Sequence, residues 1–434
     1  MGPFLFLVFI NDIPSVFGVV VVLFADDIAA WPTADGEYGN KQLQIALDLI
    51  EIWAERWHIA FSVSKSVTMC FSRQRQKPQP TTMYLGNEAL PCVDRFRYLG
   101  VIFTSQLDWS PNTDQAVISS RRAAFAISRI VTATGPPPRI IRQLVQALVL
   151  PIISYAWPLW RPPTERHWSK LESAVCSPLR AVLGLHRSVQ KLGLLVEFGI
   201  VRPSVWHDCC ALVFAHRVDV KLEKDRPGHP STFIFRTEAG GFLPKNCPKH
   251  RLPFGKVIKA VEHRFSIAHT SDKASCMASL RKHALAQQLH QLRLPEKQKA
   301  PSCYATEFAL WPSPASYIMS DPRDIALLRA RIRLNRHHLR SRQHRLSLTD
   351  SALCPSCAYL GPHAPVETPK HILLDCPRFD TARMHCSLEL DLLGCPLTMD
   401  TLTGGVHNVT GDSKTEVLSA TAVFLRKINS MLTI

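Results

Sequence analysis

The 434-residue chain is short of acids: 35 Asp and Glu stand against 51 Lys and Arg, a formal net charge of +16. That imbalance points to a polyanion as partner, nucleic acid before membrane. No run reaches the ~18–20 uncharged apolar residues that a bilayer span requires. The N-terminus is apolar at Phe4 to Ile10 and Val16 to Ala25, yet it lacks a basic leader and is interrupted by Asn11, Asp12 and Pro14, so no secretion signal is expected. A paired cysteine framework is also lacking. The 13 cysteines are odd in number and irregular in spacing, which predicts reduced thiols and an intracellular setting, nucleus and cytoplasm.

What is present begins with VVVVLFADDIAAW, residues 19–31. An apolar run, a tight polar turn and a second apolar run predict a buried β-hairpin with Asp26 and Asp27 at its tip. Two adjacent carboxylates repel unless a divalent cation neutralises them. Carboxylates so placed suit two-metal phosphoryl transfer, in which two Mg2+ ions about 3.5–4 Å apart activate a hydroxyl and stabilise a leaving group.

In its flanking residues, Phe24-Ala25-Asp26-Asp27 resembles the signature of the reverse transcriptases of non-LTR (LINE-type, jockey-like) retrotransposons. Other blocks follow in that family's order. Residues 2–13, GPFLFLVFINDI, resemble the segment before the catalytic hairpin and read as an apolar helix packed under it. Asp12 matches the non-catalytic Asn-Asp pair of that segment. Phe61 to Ser66 resembles the block whose lysine approaches the incoming triphosphate; Lys65 and Ser66 match, while Ser62 and Val63 depart from the usual Asn-Pro. Phe96-Arg97-Tyr98-Leu99-Gly100-Val101 resembles the block that supports the primer terminus. By this resemblance Asp26 is the principal Mg2+ ligand, Asp27 its accessory and Lys65 a phosphate partner, with Arg97 and Tyr98 beside the nucleic acid. The family's fingers and its first metal-binding Asp precede the point where this sequence begins, so the chain alone is expected not to polymerise.

Apolar residues from Leu43 to Trp57 at three- and four-residue spacing predict a helix over 39–59. A strand is expected over 61–71, and Gly86-Asn87 marks a tight hairpin. Helices are expected over 113–133, 139–150 and 164–184, with Gly135-Pro136-Pro137-Pro138 stopping the first. In a polymerase these form a thumb that grips a duplex through its phosphates. Residues 205–314 carry little signal beyond a helix near 273–294.

The most basic stretch, 321–348, predicts a helix on which Arg329, Arg333, Arg336 and Arg340 bind a nucleic-acid backbone, against the plainer reading of a solvated face. It is followed by C-x2-C-x13-H-x4-C: Cys354, Cys357, His371 and Cys376 supply four ligands at a spacing suited to one structural Zn2+. His363, Cys386 and Cys395 are secondary candidates. The segment also resembles the family's C-terminal zinc knuckle.

The expected fold is α+β: a partial palm of antiparallel sheet and helices over 1–112, a helical thumb over 113–204, a poorly defined helical region over 205–320, and an Arg-rich helix with a zinc knuckle over 321–434. The resemblance implies a truncated RNA-directed DNA polymerase with RNA template, DNA primer or target DNA and dNTPs as partners, the missing N-terminal part being supplied elsewhere. The alternative is a non-catalytic nucleic-acid-binding protein acting through the basic helix and the knuckle.

Overall fold

In the computed structural model, which describes residues 2–72, 81–211, 214, 280, 282–288, 314–406, 409 and 412–431, helices dominate and the strands form small antiparallel pairs. The chain divides into two compact units, Met1–Asn112 and Thr113–Ile434. Among the described residues, no helix is long and apolar enough to cross a membrane. Most of 205–320 lies outside the described residues; of the helix expected near 273–294, positions 280 and 282–288 are helical.

The first unit starts with α1 (Gly2–Ile10) and the hairpin β1 (Val19–Phe24) and β2 (Asp27–Pro32), covered by α2 (Gly36–Arg56). Ile10 at the end of α1 packs with Trp53 and Ala54 of α2, and Leu23 of β1 leans on the same cluster. Phe9 adds a ring contact to Trp53 and to Trp57, at 5.7 and 5.1 Å between centroids. The hairpin is not buried as expected: α2 serves its inner side, and Val22, Phe24 and Trp31 stay exposed. Both outer edges of the two-stranded sheet are unpaired among the described residues.

Residues 61–71 do not form the expected strand. Ser66 N–H donates to the carbonyls of Ser62 and Val63, its hydroxyl donates to Ser62 again, and the chain closes into a 3-10 turn at Val63–Lys65. Serine side chains competing for nearby carbonyls explain the preference for a turn. Among the described residues, the extended pairing of this segment is a single bridge, Thr68 to Cys92. Two further hairpins complete the unit, β3 (Met83–Leu85) with β4 (Glu88–Leu90), and β5 (Arg95–Tyr98) with β6 (Val101–Thr104).

The helix α3 (Ser110–Thr134) begins where Asp108 accepts from the Ser110 N–H at 3.0 Å, and it ends at Gly135 before three prolines. In the second unit, α4 (Pro138–Leu144) runs through a π-helical turn at Val145–Val149 into α5 (Leu150–Ser154). Ile141, Val145, Val149 and Ile153 are fully buried along it. Helices α6 (Glu165–Val182) and α7 (Lys191–Glu197) follow.

Beyond residue 314 come α8 (Ser316–Ser320), α9 (Arg323–Arg333), α10 (Arg340–Arg345), α11 (Asp380–Leu392), α12 (Met399–Leu402) and α13 (Asp412–Met431). One apolar core joins α9, α11, α12 and α13, drawing Ile325 and Leu328 from α9, Leu390 from α11, Leu402 from α12 and Val417, Leu425 and Ile428 from α13, with Phe379 beside them. The expected single basic helix is two. Asn335 at φ +52° ends α9, and the Arg336 N–H folds back onto the Arg331 carbonyl at 2.6 Å, an arrangement that turns the chain out of a helix.

Candidate functional site

β1 and β2 pair in register from Val19 with Pro32 to Phe24 with Asp27, leaving Ala25 and Asp26 as the two-residue turn. Such a turn needs left-handed backbone, and Ala25 adopts it at φ +51° although it carries a Cβ. The strain lifts Asp26 and Asp27 into solvent, where neither carboxylate has a hydrogen-bond or ion-pair partner among the described residues. Non-glycine strain of this kind gathers at working sites. The hairpin β5–β6 shares the device, with Leu99 at φ +45° and Gly100 at +82° in its turn.

Tyr98 lies near enough to feel Asp27. Its phenol is held above its ordinary pKa, first by burial and then by the Asp27 charge, and its hydroxyl is buried without a hydrogen-bond partner among the described residues. Arg97, its neighbour in β5, is exposed. Lys65 is exposed at the end of its 3-10 turn and forms no ion pair with either acid. Asp12 is engaged elsewhere, accepting from Trp53 Nε1 at 2.9 Å. The structure therefore associates Asp27 with Tyr98 and leaves Lys65 outside that association.

The second constellation converges fully. Cys354, Cys357, His371 and Cys376 are buried, and their ligand atoms all lie within 4.8 Å of one another. Local structure builds the site: the Cys357 N–H donates to the Cys354 carbonyl, tightening the first pair, and a π-helical turn at His371–Asp375 carries His371. The Cys376 N–H closes that turn on the His371 carbonyl at 2.7 Å, aiming both ligands the same way.

The distances test whether a metal fits. With Zn–S of about 2.3 Å and Zn–N of about 2.0–2.1 Å, a tetrahedron has S···S edges of about 3.8 Å and S···N edges of about 3.6 Å. Cys357 Sγ stands 3.9 Å from Cys376 Sγ and 3.5 Å from His371 Nε2. Burial and then the facing thiols push Cys357 up to about 12, and burial pushes Cys376 up as well. The cluster can hold a metal such as zinc. Cys386 is buried on α11 and Cys395 in the same apolar core, and neither joins the four.

The arginines divide sharply, and two sequence assignments need correction. Arg329 is fully buried, with Nε on Asp321 at 2.7 Å, Nη1 on the Leu402 carbonyl, and Nη2 on the Leu418 carbonyl and Thr421 Oγ1. Arg333 is buried too, its Nε donating to Glu197 at 2.8 Å. Both lock helices together and cannot reach a phosphate backbone. Arg336 and Arg340 remain half-buried near the surface, joined by Arg342 and the exposed Arg345. None of these four has an ion-pair partner among the described residues.

Sequence reasoning gave Glu367 no role, though it is the only acid between Asp350 and Asp375. It is buried, and its carboxylate accepts the Arg340 N–H at 2.7 Å. Its standing as a lone acid in a charge-poor stretch between the two halves of the Cys/His motif was the available signal. No family model matches the chain, and no curated protein matches it either.

Proposed function

We propose that this chain is a nucleic-acid-handling protein of the non-LTR retrotransposon reverse transcriptase type, an RNA-directed DNA polymerase chain whose first unit carries palm elements and whose following helices form a thumb. The observation that carries this reading is the β1–β2 tip, where Ala25 in left-handed backbone presents two exposed, unpartnered carboxylates, the charge of Asp27 reaching Tyr98. Mg2+ bound there would supply charge neutralisation for phosphoryl transfer. Asp26 and Asp27 would hold it, and Tyr98 would line the approach. With Asp12 committed to Trp53, the described residues offer no third carboxylate for a second ion.

The test is primer extension on purified protein with RNA template, DNA primer and Mg2+. The chain alone is expected to bind primer–template with an affinity that falls steeply with salt, and to incorporate no nucleotide. Mg2+-dependent incorporation abolished by Asp26→Asn would overturn the expected inactivity, and salt-insensitive or undetectable binding would overturn the nucleic-acid reading.

A second reading, a non-catalytic nucleic-acid-binding protein, is favoured by the Cys/His cluster standing in the same unit as arginines that have no carboxylate partner. Zinc there is structural, because all four positions are taken by protein ligands and none is left for substrate.

A further inference from the structure

The basic helix α10, sequence RSRQHR, is a poor helix by itself. It is six residues long, has no acid in its first turn, and puts Arg340 at the end where the backbone dipole is already positive. Its own N-cap residue, Leu339, offers no side-chain acceptor. The missing anion arrives from elsewhere in the chain: Glu367 takes the Arg340 N–H on its carboxylate at 2.7 Å and the Ser341 N–H on its backbone carbonyl at 3.4 Å.

Glu367 is itself part of the metal-binding loop. Its N–H donates to the Ala352 carbonyl at 2.9 Å, and the Cys354 N–H donates to the Pro365 carbonyl at 2.8 Å, so one β-bridge fixes Glu367 and Cys354 together. The next residue, Thr368, accepts the His371 N–H on its hydroxyl at 3.1 Å. Two metal ligands and the helix cap thus share one short piece of backbone.

On the other side of that cap lies positive charge without an internal counterion. Arg336 is pinned through Nη2 to the Ser188 carbonyl at 2.7 Å and Arg342 through Nη1 to the His337 carbonyl at 3.1 Å. Each keeps further N–H groups of its fork for an outside acceptor. Burial first, then the charges of Arg336 and Arg345, holds the Arg342 guanidinium below its usual pKa. An anion arriving there would offset that repulsion.

We propose that Glu367 couples the Cys354–Cys357–His371–Cys376 centre to a surface on which Arg336, Arg340, Arg342 and Arg345 bind the phosphodiester backbone of nucleic acid, so that metal loading sets the affinity. This rests on the nucleic-acid reading above and adds to it the binding residues and their control. Glu367 is a positioning residue: it touches neither metal nor phosphate.

The full-length chain, loaded with one zinc, is titrated into labelled single-stranded RNA and duplex DNA of equal length while anisotropy is followed. Glu367→Ala is expected to keep its zinc and bind about three- to tenfold more weakly, the range that one lost helix cap accounts for, whereas Glu367→Gln, which retains an acceptor, restores binding. Arg342→Gln with Arg345→Gln should lower the slope of affinity against salt by about 2. Chelating zinc from the wild-type chain should weaken binding in the same direction as Glu367→Ala. Wild-type affinity in zinc-bearing Glu367→Ala, or in zinc-free wild type, overturns the coupling while leaving the arginine surface intact. An unchanged salt slope in the arginine double variant removes the surface itself, and a wild-type chain that binds neither ligand removes the nucleic-acid reading with it.

Discussion

The chain carries a pair of adjacent carboxylates and a Cys/His cluster, and the two are held in opposite ways. Asp26 and Asp27 sit on a two-residue turn, lifted into water by a strained Ala25, on a hairpin with unpaired edges. Cys354, Cys357, His371 and Cys376 come from separate turns, are buried, and already stand at the spacing of a coordination sphere. The first group faces water; the second is enclosed by its own unit. The Cys/His side chains are brought to the spacing of a coordination sphere by the fold itself, whereas the two acids owe their place to a single turn.

Replacing Cys354 and Cys357 by Ser tests that contrast most strongly. The metal is expected to be lost, and with it several kcal/mol of stability in the core that packs around the cluster, because the binding free energy of such a site is folding free energy. Thermal unfolding read together with zinc stoichiometry checks it. Asp26→Asn and Asp27→Asn, measured alongside, should stay within about 0.5 kcal/mol of wild type. Equal losses at the two sites would erase the distinction.

Next in size come the arginines. Arg329→Ala strands Asp321 in the interior and should destabilise the chain by about 3–5 kcal/mol. Arg345→Ala, exposed and without an ion-pair partner among the described residues, should change stability by less than about 0.5 kcal/mol while weakening nucleic-acid binding. Denaturant unfolding of the two variants separates them.

Smallest is Ala25→Gly. Glycine adopts φ +51° without the Cβ conflict, so about 0.5–1 kcal/mol of stability should be gained, net of the extra freedom given to the unfolded chain. A loss of stability there would show that the alanine is not strained.

The sequence spoke most clearly where chemistry is local. Gly86-Asn87 marked the β3–β4 turn, the Leu43 to Trp57 stripe marked α2, the prolines after Gly135 marked the end of α3, and the Cys/His spacing marked a cluster that does converge. It misled where tertiary structure overrides composition. Eight arginines between 323 and 345 read as one helix set against a nucleic-acid backbone, yet Arg329 and Arg333 are interior, because carboxylates at Asp321 and Glu197 await them. Glu197 is 136 residues away from Arg333, a distance that no local pattern spans. The strand expected over 61–71 failed for a shorter-range reason, the serine hydroxyls and amides that close on nearby carbonyls.

The wide turn at Val145–Val149 has its own logic. Ile141, Val145, Val149 and Ile153 are spaced by four, and at 3.6 residues per turn each step of four advances about 40° around the axis, so three steps swing the stripe through about 120°. Loosening the winding for five residues brings the lower half of the stripe back toward the side where it began. The helix thus works as a phase corrector, and excision of a single residue within it would turn Ile153 and all that follows by roughly 100°, pointing a whole wall of the second unit in the wrong direction.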